Sequence, residues 1–114
     1  LSDLETIVLY PSTFIPAPAQ GVLGLQTRVA DEATNKILQK LHHADVATRI
    51  ELERSVLRQM DGGCQLPLGV YCVDDQVYVS FSPSSTLAAT NRTYSYVPGQ
   101  ETELAFSIVQ ELKK

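Results

Sequence analysis

Hydrophobic positions along this chain follow two periods, and the switches between them mark the elements. From Asp31, Ala33, Ile37, Leu38 and Leu41 recur at helical spacing, and Asp31 is suited to cap the first free amides, so a helix is predicted there. "HHAD" breaks the pattern. A longer helix is predicted from about Asp45 to Met60, with Val46, Ile50, Leu57 and Met60 along its buried face. Its outer face would carry Arg49, Glu53, Arg54 and Arg58, with Arg49 and Glu53 spaced to pair across one turn. "DGG" ends it, because a glycine just past a helix takes the left-handed cap without strain.

After that hinge the period drops to two. "LGVYCV" and "QVYVSFS" read as strands joined by Asp74-Asp75, a turn short enough for a hairpin. In the second strand Val77, Val79 and Phe81 should pack while Tyr78, Ser80 and Ser82 face wetter surroundings. "RTYSYV" gives a third strand. The segment "PGQETELAFSIVQELKK" returns to helical period, with Leu104, Ile108 and Leu112 as its stripe and Glu101, Glu103, Lys113 and Lys114 placed to suit the helix dipole. Residues 31–114 are thus predicted to be α-α-β-β-β-α, an α+β unit: a three-stranded antiparallel sheet with helices packed on one face.

The first 30 residues follow neither pattern for long. "LSDLETIVLY" reads as a helical turn running into a strand at Ile7 to Tyr10. Three prolines between Pro11 and Pro18 predict an extended connector. "GVLGLQTRV" (Gly21 to Val29) looks like a mostly buried strand whose glycines admit close approach. A lone strand cannot bury itself, so residues 1–30 are expected to be the tail of a preceding domain, in a sheet completed by other residues. A chain that opens at Leu1 without an initiator methionine is likewise expected to be cut from something longer.

Composition narrows the classes. With 114 residues, 44% hydrophobic and 19% charged, the chain suits one modest core. A net charge of -4 opposes general attraction to phosphate backbones. No apolar run approaches the roughly 20 residues of a membrane helix, and no basic stretch leads into an apolar one as in a secretory signal. Two cysteines with seven residues between them make a poor disulfide framework, so a reducing, cytoplasmic setting is expected.

Candidate chemistry centres on "MDGGCQLPLGVYC". Cys64 is either a partly buried residue after a helix cap or a tethering thiol whose loop needs glycine freedom. At a helix C-terminus the dipole disfavours a thiolate, which argues against a repeatedly acting nucleophile and for a thiol that attacks a strong electrophile once. Cys72 reads as a small buried apolar residue in mid-strand. His42 and His43 project about 100° apart on a helix, and with the cysteines they match no zinc spacing. Glu51, Glu53 and Asp61 suit a solvated helix face, and no phosphate-binding loop is present.

Two stretches together resemble one family. "PAPAQGVLGLQTR" and "ERSVLRQMDGGCQLPLGVY" are similar to the "GQGALGIE"-like strand and the "ER…LEGGCQVPIG"-like segment of porphobilinogen deaminases (hydroxymethylbilane synthases), with "LHHAD" resembling their "LNHHE" junction. The resemblance is strongest from Pro16 to Tyr71 and covers the C-terminal portion of such a protein. It implies that Cys64 carries dipyrromethane, a cofactor held by a thioether, and that Gln20 and Gly21 lie near it at the back of a cleft. It implies condensation of four porphobilinogen molecules into hydroxymethylbilane with release of ammonia, in heme and other tetrapyrrole biosynthesis, by a monomeric transferase. The first residues would then be the tail of an α/β domain, and residues 31–114 the cofactor-carrying third domain.

Three departures from the family pattern bear on function. Ala19 stands where the family has glycine, which matters if that position needs positive φ. Gln26 replaces a glutamate. The family's catalytic aspartate and the arginines for substrate carboxylates belong to two earlier domains absent from these 114 residues, so no catalytic residue is assigned and the chain alone is expected to be inactive. The rival reading is a non-catalytic interaction module derived from a deaminase domain. A double-stranded RNA-binding reading of the α-β-β-β-α order is opposed by the acidic charge and the missing basic cluster at the last helix.

Overall fold

The computed structural model describes residues 3–62 and 65–114. Six elements follow in the expected order: α1 (Glu32–Gln39), α2 (Ala44–Gln59), β1 (Leu68–Val73), β2 (Gln76–Phe81), β3 (Thr90–Ser95) and α3 (Glu101–Leu112). The strands form one antiparallel sheet in the order β1-β2-β3. Val70 opposes Val79 and Cys72 opposes Val77 across the first hairpin, which puts four small apolar side chains on one face. The hairpin turns at Asp74-Asp75 as expected, with Asp74 in the left-handed region at φ 52.

Against that face pack Leu52 and Val56 of α2 and Ala105, Ile108 and Val109 of α3, all essentially without solvent exposure. The expected stripe of α3 is shifted. Ile108 lies at its centre, but Ala105 and Val109 are the buried flanks, while Leu104 and Leu112 pack at the rim. The α2 face differs more. Its core residues are Leu52 and Val56 instead of the expected Val46 and Ile50, which lie nearer solvent beside the connector. The helix is apolar on two sides, and the sheet and α3 take the Leu52 side. Ser82, expected on the wetter face, is buried; its hydroxyl donates to the Leu87 carbonyl at 2.7 Å.

Local chemistry sets the helix ends. Asp31 caps α1, accepting from the Thr34 amide at 3.1 Å and the Thr34 hydroxyl at 2.7 Å. His43 caps α2, its Nδ1 accepting from the Val46 amide at 3.4 Å. No described helix is long and apolar enough to cross a membrane.

Residues before α1 depart from expectation. Neither Ile7 to Tyr10 nor Gly21 to Val29 forms a strand, and no helical turn precedes Ile7 among the described residues. The expected burial is absent: Leu23 is 93% exposed and Val29 97% exposed. A ladder needs a second strand, and nothing in the described chain supplies one to these residues. The connector itself is extended around Pro16 and lies on the outer edge of β1, where the Val70 amide donates to the Pro16 carbonyl at 3.0 Å.

Candidate functional site

Cys64, the principal candidate, and Gly63 lie outside the described residues, but the chain on both sides of them is defined. At the end of α2 the Asp61 amide donates to the Arg58 carbonyl at 3.0 Å and the Gly62 amide to the Leu57 carbonyl at 3.2 Å. This is the paired Schellman pattern. The left-handed residue in it is Asp61, at φ 55, where a glycine was expected. Short polar side chains tolerate that region best after glycine. Gly62 is small for a different reason: a Cβ there would run into the Leu66 side chain and meet Leu57 Cδ1 at 3.0 Å. On the far side, the Leu68 amide donates to the Leu66 carbonyl at 2.8 Å as β1 begins. The described residues on either side are thus a helix cap ending at Gly62 and a strand start at Leu68.

Gln20 and Gly21 sit in a turn of the connector. The Gln20 amide donates to the Ala17 carbonyl at 3.2 Å and the Val22 amide to the Ala19 carbonyl at 3.3 Å. Both residues flanking Gln20 take positive φ, Ala19 at 61 and Gly21 at 78. Open space surrounds Gly21, so its backbone angle alone calls for glycine there. The condition set for Ala19 is thus met: the position does need positive φ, and alanine holds it at a cost of roughly 1–2 kcal/mol.

Gln20 borders a cavity of about 300 Å³ between the connector, the first half of α2 and the end of β1, shared with Arg49, Glu53, Tyr71 and Cys72. Cys64 follows the other end of α2 in sequence, and roughly 10 Å of helix rise separates Glu53 from Met60. The structure brings Gln20 to Glu53 and Arg49, not to the described flanks of Cys64.

The least anticipated residue of this region is Glu53. It was expected on the solvated face, paired with Arg49; instead it is 3% exposed. Its Oε1 accepts the Ala19 amide at 2.9 Å and its Oε2 accepts the Cys72 amide at 3.1 Å. Burial raises its pKa, and the two amide bonds offset that only in part. Arg49 pairs with Asp45 at 3.2 Å and donates to the Asp74 carbonyl at 2.7 Å, with its guanidinium 5.2 Å from the Tyr96 ring. One signal for Glu53 was present in the sequence: it opens the "ER" stretch that carries the family resemblance.

Cys72 behaves as a core residue. It is 4% exposed, and burial pushes its thiol up to about 11 although Arg49 pulls the other way. Burial and the hydrogen bond to Glu101 push the Tyr96 phenol up to about 12. With both Glu53 oxygens engaged and the Cys72 thiol protonated at neutral pH, this cluster offers no ready base or nucleophile. Its chemistry is that of holding the connector, helix and strand together.

Residues 47–111 match the family described as porphobilinogen deaminase, C-terminal domain. A porphobilinogen deaminase of Shouchella clausii is 44% identical over 69 residues, covering 60% of this chain and 22% of that protein. One from Chlorobium phaeobacteroides is 41% identical over 70 residues, covering 61% and 22%, and one from Chloroherpeton thalassium is 46% identical over 57 residues, covering 50% and 18%. The chain spans about a fifth of the length of the curated relatives it matches.

Proposed function

The chain belongs to the porphobilinogen deaminase family through its C-terminal domain, and from that premise we propose that it is the cofactor-bearing part of a hydroxymethylbilane synthase. The whole enzyme condenses four porphobilinogen molecules into hydroxymethylbilane and releases ammonia, a transferase step of tetrapyrrole biosynthesis in the cytoplasm, and works as a monomer. Residues 31–114 are its third domain and residues 1–30 the end of the second with the return connector. The exposed Leu23 and Val29 fit a sheet that preceding residues complete.

The observation that carries the assignment of the anchor is the state of the other thiol. Of two cysteines in the sequence, Cys72 is buried in a strand with its proton held to about pH 11. It has neither the access nor the thiolate that a bulky electrophile requires. Cys64, between a helix cap and a strand start, is the residue to hold dipyrromethane through a thioether. When bound, that group supplies the free pyrrole end to which substrate units are added. Cys64 fixes the other end, and it follows Gly62, where a side chain would run into Leu66. The family resemblance puts Gln20 and Gly21 near the same group, away from its anchored end, since Gln20 borders the cavity at Arg49 and Glu53.

In the full native protein, Cys64→Ser should abolish conversion of porphobilinogen while Cys72→Ala retains it. Retained conversion in Cys64→Ser would overturn the anchor. Residues 1–114 alone should form no hydroxymethylbilane.

A further inference from the structure

Glu53 has one feature that the anchoring role does not use: its two oxygens bind amides from two separate parts of the chain. Ala19 lies 34 residues before it and Cys72 19 residues after it. A carboxylate is acceptor-only and can serve two donors, whereas a glutamine or a protonated acid in its place turns one position into a donor. The two amides are also the ones in need of partners. β1 is an edge strand, so its outward amides have no neighbouring strand. Pro16 takes the Val70 amide and Glu53 takes that of Cys72, two residues along the same edge. The other oxygen holds Ala19 in its unfavourable left-handed conformation, next to Gln20.

We propose that Glu53 is a two-handed latch, a positioning residue that ties the connector to the open edge of the sheet and so fixes the place of Gln20. The latch stands on geometry alone; only the statement that Gln20 faces the cofactor rests on the deaminase reading. Ionisable groups around it are few. Arg49 and Asp45 come from α2, Cys72 and Tyr71 from β1, Asp74 from the hairpin and Tyr96 from beyond β3, while residues 16–22 bring none. Arg49 is engaged by Asp45 and the Asp74 carbonyl instead of by Glu53. The folded chain binds the Glu53 proton more tightly than the unfolded chain does, since burial outweighs the amide bonds. Its contribution to stability is therefore full below the ordinary carboxylate range and falls as pH rises through its raised value. The two-handed form belongs to the ionised state and is held at some expense of stability.

The test is an amide NMR titration of the full native protein. The Ala19 and Cys72 amide resonances should shift together, with one shared midpoint above the ordinary carboxylate range. In Glu53→Gln that shared titration should vanish, and hydrogen exchange at Ala19 should speed up by on the order of ten-fold or more, as expected for losing a charge-assisted bond. Separate midpoints in the wild-type protein, or a titration surviving in Glu53→Gln, would overturn the latch. The wild-type titration decides the question even if the variant does not fold. A Cys64 without cofactor in the purified full protein would refute the anchor and leave this result untouched.

Discussion

Residues 52–112 and the residues before them solve the folding problem in opposite ways. The later segment buries eleven apolar side chains in one cluster drawn from two helices, a sheet and Tyr96 just past it. Among the described residues before Leu52, none is buried, although Ile7, Val8, Leu23 and Val29 are as apolar as anything in the core. The later part is held by exclusion of water. The earlier part is attached through backbone: the Pro16 carbonyl on β1, the Ile15 carbonyl over Gly69 and the Ala19 amide on Glu53. One segment is a core, and the other is a strap whose apolar side chains stay exposed.

The comparison is broken most forcefully in the core. Ile108→Ala removes a fully buried side chain and should cost about 2–5 kcal/mol in urea unfolding. Leu23→Ala, on the strap, should stay within about 0.5 kcal/mol. An equal loss at both sites would mean that the strap is packed after all. Gly69→Ala attacks the attachment itself, because its Cβ would meet the Ile15 carbonyl oxygen at 2.6 Å. Backbone has to move, and about 1–3 kcal/mol should be lost, with faster proteolysis between Thr13 and Val22 as the local readout.

Alkaline pH gives a smaller effect confined to the core side. The Cys72 and Tyr96 pKa values are raised on folding, so the stability they contribute is complete below their unfolded values. For Cys72 it is lost as pH rises from about 9.0 to about 11, and for Tyr96 from about 10.0 to about 12. Unfolding midpoints should fall over that range, and less steeply in Cys72→Ala. The mildest change is on the strap. Ala19→Gly removes the left-handed strain but frees the unfolded chain, so a net gain below about 1 kcal/mol is expected by thermal unfolding. A loss there would show that alanine's methyl group makes a contact of its own.

The same division governs what could be read from sequence. Elements that local chemistry determines were legible: Asp31 as a cap, the Asp74-Asp75 hairpin, and alternation at Val77 and Val79. The buried side of α2 was not, because the helix offers two apolar stripes and only the packed sheet chooses Leu52 and Val56. Glu53 was hidden because its partners are amides 34 and 19 residues away, which no helical spacing reveals. The two expected strands near the N-terminus have the right residues and lack the second strand that would make them strands. Within the candidate site, Gln20 and Gly21 were singled out by family resemblance, but as part of a strand; the turn that holds them is set by backbone bonds within the connector. The positive φ at Ala19 emerged only from the backbone.

The anchor is the central claim, and intact mass with peptide mapping of the protein purified from its source tests it most directly. A dipyrrole adduct on the Cys64 peptide, with an unmodified Cys72 peptide, is the predicted result. A free thiol at Cys64 in protein that converts porphobilinogen, or an adduct found on Cys72, would contradict it.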